Sequence, residues 1–130
     1  MKVLLIDNNN KVAESIKKDM EENKYEIDVA IDGRSGEKMA EDKSYDAVVL
    51  DSFLPGIDSF ELCKKIKQTR NNARVLICSE FDSHEDKVLS YLSGADNYLT
   101  KSNSVNDLKS KIIHWVKKSS PIYDHSFSLI

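Results

Sequence analysis

Short apolar runs alternate along the chain with longer stretches in which apolar residues recur every three or four positions. The runs lie at residues 3–6, 27–31, 47–50, 75–78 and 98–100 and are rich in Val, Ile and Leu. Such runs are typical of parallel strands that helices cover on both faces. Five repeats of run and amphipathic stretch therefore predict an α/β fold with a doubly wound, five-stranded parallel sheet and crossover helices.

The amphipathic stretches predict which helical residues face the core. Apolar residues spaced three or four apart share one face of a helix. The predicted core positions are Val12, Ile16 and Met20 in the first helix, Phe60, Cys63 and Ile66 in the third, Val88 and Leu92 in the fourth, and Leu108, Ile112 and Trp115 in the fifth. The second helix is expected over residues 33–40.

Short polar residues predict where three helices begin, because their oxygen atoms accept hydrogen bonds from the free backbone amides of the first turn. The candidate caps are Asn9 or Asn10 for the first helix, Asp82 or Ser83 for the fourth, and Ser104 for the fifth. After Lys118 the periodicity stops at Ser-Ser-Pro. We therefore expect one domain over residues 1–118, followed by a tail or linker stub over residues 119–130.

Length, charge and cysteine content narrow the function classes. The chain has 130 residues, a formal net charge of −3 and no basic run, so direct nucleic-acid binding by this domain is not expected. No segment is apolar for long enough to suit a membrane span or a signal peptide, so we expect a cytoplasmic protein without membrane contact. Cys63 and Cys78 lack metal or redox spacing and are predicted to be small, reduced core residues.

Polar residues stand at the ends of four predicted strands. Asp7 and Asn8 end the first, Asp51 the third, Ser79 the fourth and Lys101 the fifth. Because the carboxyl ends of parallel strands share one edge of the sheet, these side chains are expected to converge there. Asp and Ser are common at strand ends as turn formers and helix caps, so a structural role is favoured for any one of these residues alone; the combination favours a functional site.

The residue types at this edge predict a particular chemistry. Two converging carboxylates repel each other unless a cation lies between them, and oxygen ligands of this kind suit Mg²⁺. Lys101 adds a second positive charge. A carboxylate beside two cations is a reasonable nucleophile toward a phosphoryl group, because the cations neutralise the oxygens of the transition state.

Three segments resemble the receiver domains of bacterial two-component response regulators. They are VLLIDNN, VVLDSFLPGIDSFELCKKI and SGADNYLTK, and the similarity covers residues 2 to about 118. The resemblance implies the flavodoxin-like (βα)5 receiver fold with strand order 2-1-3-4-5. The third segment is most similar to the winged-helix transcription-factor branch of the family. The family implies a signalling domain rather than an enzyme, with at most Mg²⁺-dependent self-phosphorylation and self-dephosphorylation.

By this resemblance, Asp51 is the phosphoacceptor, and a histidine kinase or a phosphotransfer protein is the donor. Asp7 and Asn8 occupy the positions of the family's acidic pair. The Mg²⁺ ligands implied are Asp7, Asn8, Asp51 and the backbone carbonyl of Phe53. Pro55-Gly56 matches the turn that follows the acceptor.

The same resemblance implies a switch. Lys101 matches the amine that contacts the phosphoryl group, Ser79 the switch hydroxyl, and Tyr98 the aromatic residue whose rotamer reports activation. A phosphoryl group brings about −2 charge and strong acceptor oxygens, which attract a nearby hydroxyl and ammonium. The face around the fourth helix and fifth strand is then expected to change its affinity for partners.

A homodimer through this face is a further implication of the winged-helix branch. Lys87, Asp96 and Lys111 stand at positions matching its charged pairs. Solvated surface charges explain the same three residues equally well.

Four positions depart from the family pattern. Asn8 replaces a metal-binding acid, so Mg²⁺ affinity is expected to fall, because an amide oxygen is a neutral ligand. Glu80 stands where a small residue is usual; three alternatives are open, in which its carboxylate crowds or repels phosphate, points outward, or restores the charge lost at Asn8. Ser102 replaces a cis proline, so a trans bond or a distorted loop is expected. Ser59 replaces a glycine, which predicts mild strain in a turn that favours positive φ.

Two functional hypotheses follow. The first is a phosphorylation-driven switch at Asp51. The second is an atypical receiver that binds partners without phosphorylation, motivated by Asn8, Glu80 and Ser102. A nucleotide or flavin binder is disfavoured because the sequence DNNNK after the first strand offers no phosphate-binding loop, and no nucleophile and base pair supports a hydrolase.

Overall fold

The computed structural model describes residues 1–69, 72–102 and 104–118. Its main sheet has five parallel strands: β1 (Lys2–Ile6), β2 (Glu26–Ala30), β3 (Ala47–Asp51), β4 (Arg74–Ser79) and β5 (Asn97–Thr100). The order across the sheet is β2-β1-β3-β4-β5. A separate two-stranded hairpin between β3 and β4 is not part of this sheet and carries no strand label. The predicted fold class and strand order are confirmed. The predicted tail, residues 119–130, lies outside the described residues.

Five helices connect and follow the strands: α1 (Asn10–Glu22), α2 (Gly33–Asp42), α3 (Ser59–Gln68), α4 (His84–Leu92) and α5 (Val105–Lys118). The N-terminal caps predicted for α1, α4 and α5 are confirmed. Asn9 Oδ1 accepts from Val12 N at 3.2 Å, Ser83 Oγ from Asp86 N at 3.3 Å, and Ser104 Oγ from Asp107 N at 3.2 Å. None of the helices in the described ranges is long and apolar enough to cross a membrane.

The core lies in two layers, one on each face of the sheet. Alternate residues of a strand point to opposite faces, so Leu4 and Ile6 of β1 pack with α2 and α3, while Val3 and Leu5 pack with α1 and α5. Each layer also contains one of the two cysteines, both free and buried. This two-sided burial explains why the strands read as continuous apolar runs.

The prediction that Val88 and Leu92 belong to the core is wrong. Their exposed fractions are 42% and 76%, and the neighbouring Leu89 and Tyr91 are also exposed. In α4 the buried residue is Ser90, whose Oγ donates to the Asp86 carbonyl at 2.7 Å. Residues four apart share a face, but their spacing does not decide which face turns inward.

The segment after β3 forms the hairpin, with Phe53–Leu54 antiparallel to Ile57–Asp58. Gly56 has φ +77°, which agrees with the turn predicted at Pro55-Gly56. The strain predicted at Ser59 is wrong, because this serine begins α3 and Lys24 is the non-glycine residue with positive φ in the described ranges. The Lys101–Ser102 peptide bond is trans, as expected.

Candidate functional site

Three charged side chains meet at the carboxyl edge of the sheet. Asp51 is the last residue of β3, Asp7 follows β1, and Lys101 follows β5. Lys101 Nζ lies 3.1 Å from Asp51 Oδ1 and 3.9 Å from Asp7 Oδ2. The parallel topology thus places one ammonium between two carboxylates that are 44 residues apart in the chain.

A pocket of about 570 Å³ opens at this cluster. Asp7 and Asp51 are buried, with exposed fractions of 4% and 7%. Five of the other lining residues are exposed: Asn8, Asn9, Phe53, Glu80 and Phe81. The residues lining the pocket are Asp7, Asn8, Asn9, Asp51, Ser52, Phe53, Glu80, Phe81 and Lys101.

Burial has the largest effect on the pKa of Asp51. It raises the pKa of the Asp51 carboxyl above its ordinary value; the Lys101 ammonium works against this and the Asp7 carboxylate adds to it. Burial alone lowers the pKa of Lys101, but the charges of Asp51 and Asp7 outweigh it, so the pKa of the amine is raised. Lys101 is therefore a permanent cation at neutral pH.

This arrangement predicts that Asp51→Asn stabilises the protein at neutral pH. Because the pKa of Asp51 is higher in the folded than in the unfolded state, the folded protein loses stability as pH rises from about 4 through that pKa. The asparagine variant lacks this loss, so its advantage over the wild type is expected to appear across the same pH window. Urea unfolding of both proteins between pH 4 and 8, without Mg²⁺, measures the difference.

Asp28→Asn is the matched control, because the shift has the opposite sign. A hydrogen bond from Tyr45, at 2.7 Å, and the Lys43 charge lower the pKa of Asp28. The wild-type carboxylate therefore stabilises the fold at neutral pH, and this contribution is lost on acidification. An Asp51→Asn variant that is less stable than the wild type at pH 7 would contradict the account of the site.

A nearby thiol does not compete as a nucleophile. Cys78 in β4 pairs in register with Asp51. Burial raises the pKa of the Cys78 thiol to about 12. Since the thiolate is the reactive form, Cys78 is inert at neutral pH, in agreement with its prediction as a core residue.

The two predicted switch residues hold the segment between β4 and α4. Ser79 ends β4, is fully buried, and its Oγ accepts from Phe81 N at 3.1 Å. The Tyr98 hydroxyl, from β5, donates to the Phe81 carbonyl at 2.6 Å. Both side chains therefore form hydrogen bonds with the backbone of Phe81, although Ser79 does not line the pocket in this conformation.

The oxygen atoms of the pocket fit Mg²⁺, although two of the four candidate ligands are neutral. The pocket has two buried carboxylates, the amide of Asn8 and the backbone of Phe53. Among the residues that the structure describes, no three His, Cys, Asp or Glu side chains form a metal cluster. Mg²⁺ commonly binds through one or two carboxylates and keeps several waters, and the oxygen donors of this pocket fit that pattern.

Comparison with known proteins gives the family. The sequence model of the family described as "Response regulator receiver domain" matches residues 3–113. The chain belongs to this family. The predicted resemblance is therefore confirmed, and the receiver domain is a signalling domain.

Curated relatives agree with this assignment. Response regulator ArlR of Staphylococcus saprophyticus is 31% identical over 85% of this chain and 50% of its own length. Response regulator MprA of Mycolicibacterium vanbaalenii is 28% identical over 93% of this chain and 52% of its own. The receiver domain thus spans about half the length of the curated relatives that it matches.

Solved structures share the fold. The receiver domain of Francisella response regulator 1452 is 34% identical with a TM-score of 0.76, covering 92% of this chain and 98% of that one. Response regulator TrrA of Thermotoga maritima, solved in complex with Mg²⁺ and beryllium fluoride, is 29% identical with a TM-score of 0.74, covering 92% and 98%.

The three charges predicted for a dimer face each have a partner within this receiver domain. Lys87 Nζ lies 2.6 Å from Asp82 Oδ1 and Lys111 Nζ lies 3.1 Å from Asp107 Oδ2. Asp96 Oδ2 accepts from Val75 N at 2.8 Å and from Lys67 Nζ at 3.1 Å. This internal role of Asp96 cannot be predicted from the sequence, since no pattern in the sequence links residues 67, 75 and 96.

Proposed function

We propose that this receiver domain takes a phosphoryl group on Asp51 from a phosphohistidine of a histidine kinase or a phosphotransfer protein. The observation that supports this most directly is the contact between the Asp51 carboxylate and the Lys101 ammonium, at 3.1 Å, in a pocket that also contains Asp7, Asn8 and Phe53. In the transfer, an Asp51 oxygen forms a bond to phosphorus, and the phosphorus–nitrogen bond of the donor breaks; neutral imidazole leaves because the other ring nitrogen of the phosphohistidine already carries a proton.

The residues of the pocket have two proposed roles, charge neutralisation and metal binding. Lys101 balances the negative charge of the phosphoryl oxygens, which is the main requirement of phosphoryl transfer. Asp7, Asn8, Asp51 and the Phe53 carbonyl are the proposed ligands of Mg²⁺. When bound, Mg²⁺ would neutralise part of the charge that develops on the transferred group.

The proposed output is a change at the face around α4 and β5. Ser79 and Tyr98 both hold Phe81, so a phosphoryl group that attracts the Ser79 hydroxyl would change the segment leading into α4. The exposed apolar residues of α4 are the surface that a partner would meet. A dimer through Lys87, Asp96 and Lys111 would have to share or replace the ion pairs that these residues form within the chain.

The remaining features of the proposal concern the whole protein. Residues 1–118 form the proposed receiver unit, and residues 119–130 are a tail or a linker. The proposed location is the cytoplasm, and neither nucleic acid nor membrane is a proposed partner of this domain.

The proposed function is tested by incubation with acetyl phosphate and Mg²⁺, read by intact mass. The wild type is expected to gain one phosphoryl group, because the site holds both a nucleophile and a cation. The isosteric Asp51→Asn variant, which keeps the shape of the pocket, is expected to gain none. An equal adduct in both proteins would place the phosphoryl group elsewhere.

The alternative is a receiver that binds partners without phosphorylation. Two observations favour it: Asn8 supplies no charge to the metal site, and the Glu80 carboxylate lines the same pocket. No adduct from acetyl phosphate or from a histidine kinase, together with partner binding that is equal in the wild type and in Asp51→Asn, would establish this alternative.

Asn8→Asp is expected to tighten Mg²⁺ binding by about tenfold, because affinity for a hard cation rises with the number of charged oxygen ligands. Isothermal titration with MgCl2 measures the change. Asn10→Asp is the matched control, since Asn10 begins α1 two residues away but does not line the pocket. Equal tightening in both variants would mean that general charge, and not ligation, is responsible.

A further inference from the structure

One buried serine is bonded directly to the backbone of the proposed phosphoacceptor. The Ser59 hydroxyl donates to the Asp51 carbonyl oxygen at 2.7 Å. The exposed fraction of Ser59 is 2% and that of Asp51 is 7%, so water does not readily replace this bond. Because Asp51 ends β3 and Ser59 begins α3, the bond joins the end of the central strand to the first turn of the next helix.

The bond closes a short loop that carries Phe53. Residues 53–58 form the hairpin, in which Phe53 pairs with Asp58. Asp58 in turn caps α3, since its Oδ1 accepts from Phe60 N at 2.9 Å. The contact from Phe53 N to Asp51 Oδ1 is long, at 3.5 Å, and holds the loop only weakly at that side. Two short hydrogen bonds therefore hold the base of the loop: Ser52 N donates to the Cys78 carbonyl at 2.8 Å, and the Ser59 hydroxyl is the side-chain contact that links the Asp51 backbone to α3.

We infer that Ser59 is a positioning residue of the phosphorylation site: its hydroxyl fixes the Asp51 backbone relative to Phe53, and so sets the affinity of the site for Mg²⁺. The inference rests on the proposed function, in which both residues supply metal ligands. Without the hydroxyl, the buried Asp51 carbonyl lacks this partner, and the loop has to shift or admit water to satisfy it. Residues that orient metal ligands affect metal affinity even though they do not touch the ion.

The test compares four variants of the full chain by isothermal titration with MgCl2, without a phosphodonor. Ser59→Ala and Ser59→Gly both fit the space and remove the hydroxyl, whereas Ser59→Thr keeps it. Ser93→Ala is the control, because the buried Ser93 hydroxyl also donates to a backbone carbonyl at 2.7 Å, but at the carboxyl end of α4, away from the pocket. Thermal unfolding of each variant reports the general loss of stability.

Ser59→Ala and Ser59→Gly are expected to weaken Mg²⁺ binding by about tenfold. Ser59→Thr and Ser93→Ala are expected to bind Mg²⁺ as the wild type does, although Ser93→Ala loses thermal stability. If Ser59→Thr does not fold, the alanine and glycine variants decide the result against Ser93→Ala.

Wild-type Mg²⁺ affinity in Ser59→Ala and Ser59→Gly would overturn the inference. So would an equal loss in Ser93→Ala, or a wild type that binds no Mg²⁺. Failure of the proposed function has a different signature: the wild type would bind Mg²⁺ in a manner that depends on Ser59, yet gain no phosphoryl group from acetyl phosphate or a kinase.

Discussion

Lys101→Met is expected to slow phosphorylation of Asp51 by about 10²–10³-fold, the loss typical when one preorganised charge-stabilising group is removed from an active site. Methionine retains much of the aliphatic length of lysine and removes the ammonium that lies 3.1 Å from Asp51 Oδ1. Part of the loss arises because the Lys101 ammonium lowers the pKa of Asp51, so its removal raises the pKa of the proposed phosphoacceptor further. Initial rates with acetyl phosphate at saturating Mg²⁺, followed by intact mass, measure the effect.

Lys109→Met is the matched control for this prediction. The side-chain exposed fractions of Lys109 and Lys101 are 15% and 16%, and Lys109 Nζ lies 3.0 Å from Asp19 Oδ2. The control therefore removes an equally buried lysine from an ion pair between α1 and α5, outside the pocket, although its partner Asp19 is more exposed than Asp51. A similar loss of rate in both variants would show that reduced stability, and not the charge at Asp51, slows the reaction.

The central part of the site could be predicted from the sequence because topology alone brings it together. Asp7, Asp51 and Lys101 each follow or end an apolar run, and parallel strands place those ends at one edge. The two-layer core is predictable for a related reason, since a strand covered on both faces has no polar face to interrupt its apolar run.

Features that depend on packing could not be predicted in this way. The apolar spacing in α4 fits a core helix, yet Val88 and Leu92 are exposed and the small Ser90 is the buried residue. Asp96 and Ser59 form their hydrogen bonds with residues from other elements, and only the fold shows which carbonyl or amide each one reaches. Ser59 has one signal in the sequence, its departure from glycine, and that departure predicts backbone strain, not a hydrogen bond to Asp51.

Two leucines in helices test the outward orientation of α4. Leu62 in α3 is fully buried, whereas Leu92 in α4 is 76% exposed. Leu62→Ala is expected to reduce the free energy of unfolding by about 3 kcal/mol, because it removes buried apolar surface and leaves a cavity in the layer beneath α2 and α3. Leu92→Ala is expected to change it by less than about 0.5 kcal/mol, since its side chain is already in water.

Urea unfolding of the two variants, followed by circular dichroism, measures both free energies, and the same leucine-to-alanine change in a helix keeps helix propensity matched. A loss above about 2 kcal/mol at Leu92 would mean that α4 turns its apolar face inward in solution, as the sequence alone predicted. In that case the exposed surface proposed for partner binding would not exist. A small loss of stability at Leu92 would agree with an α4 whose apolar side chains lie in solvent. The exposed residues Val88, Leu89, Tyr91 and Leu92 would then be accessible to a partner.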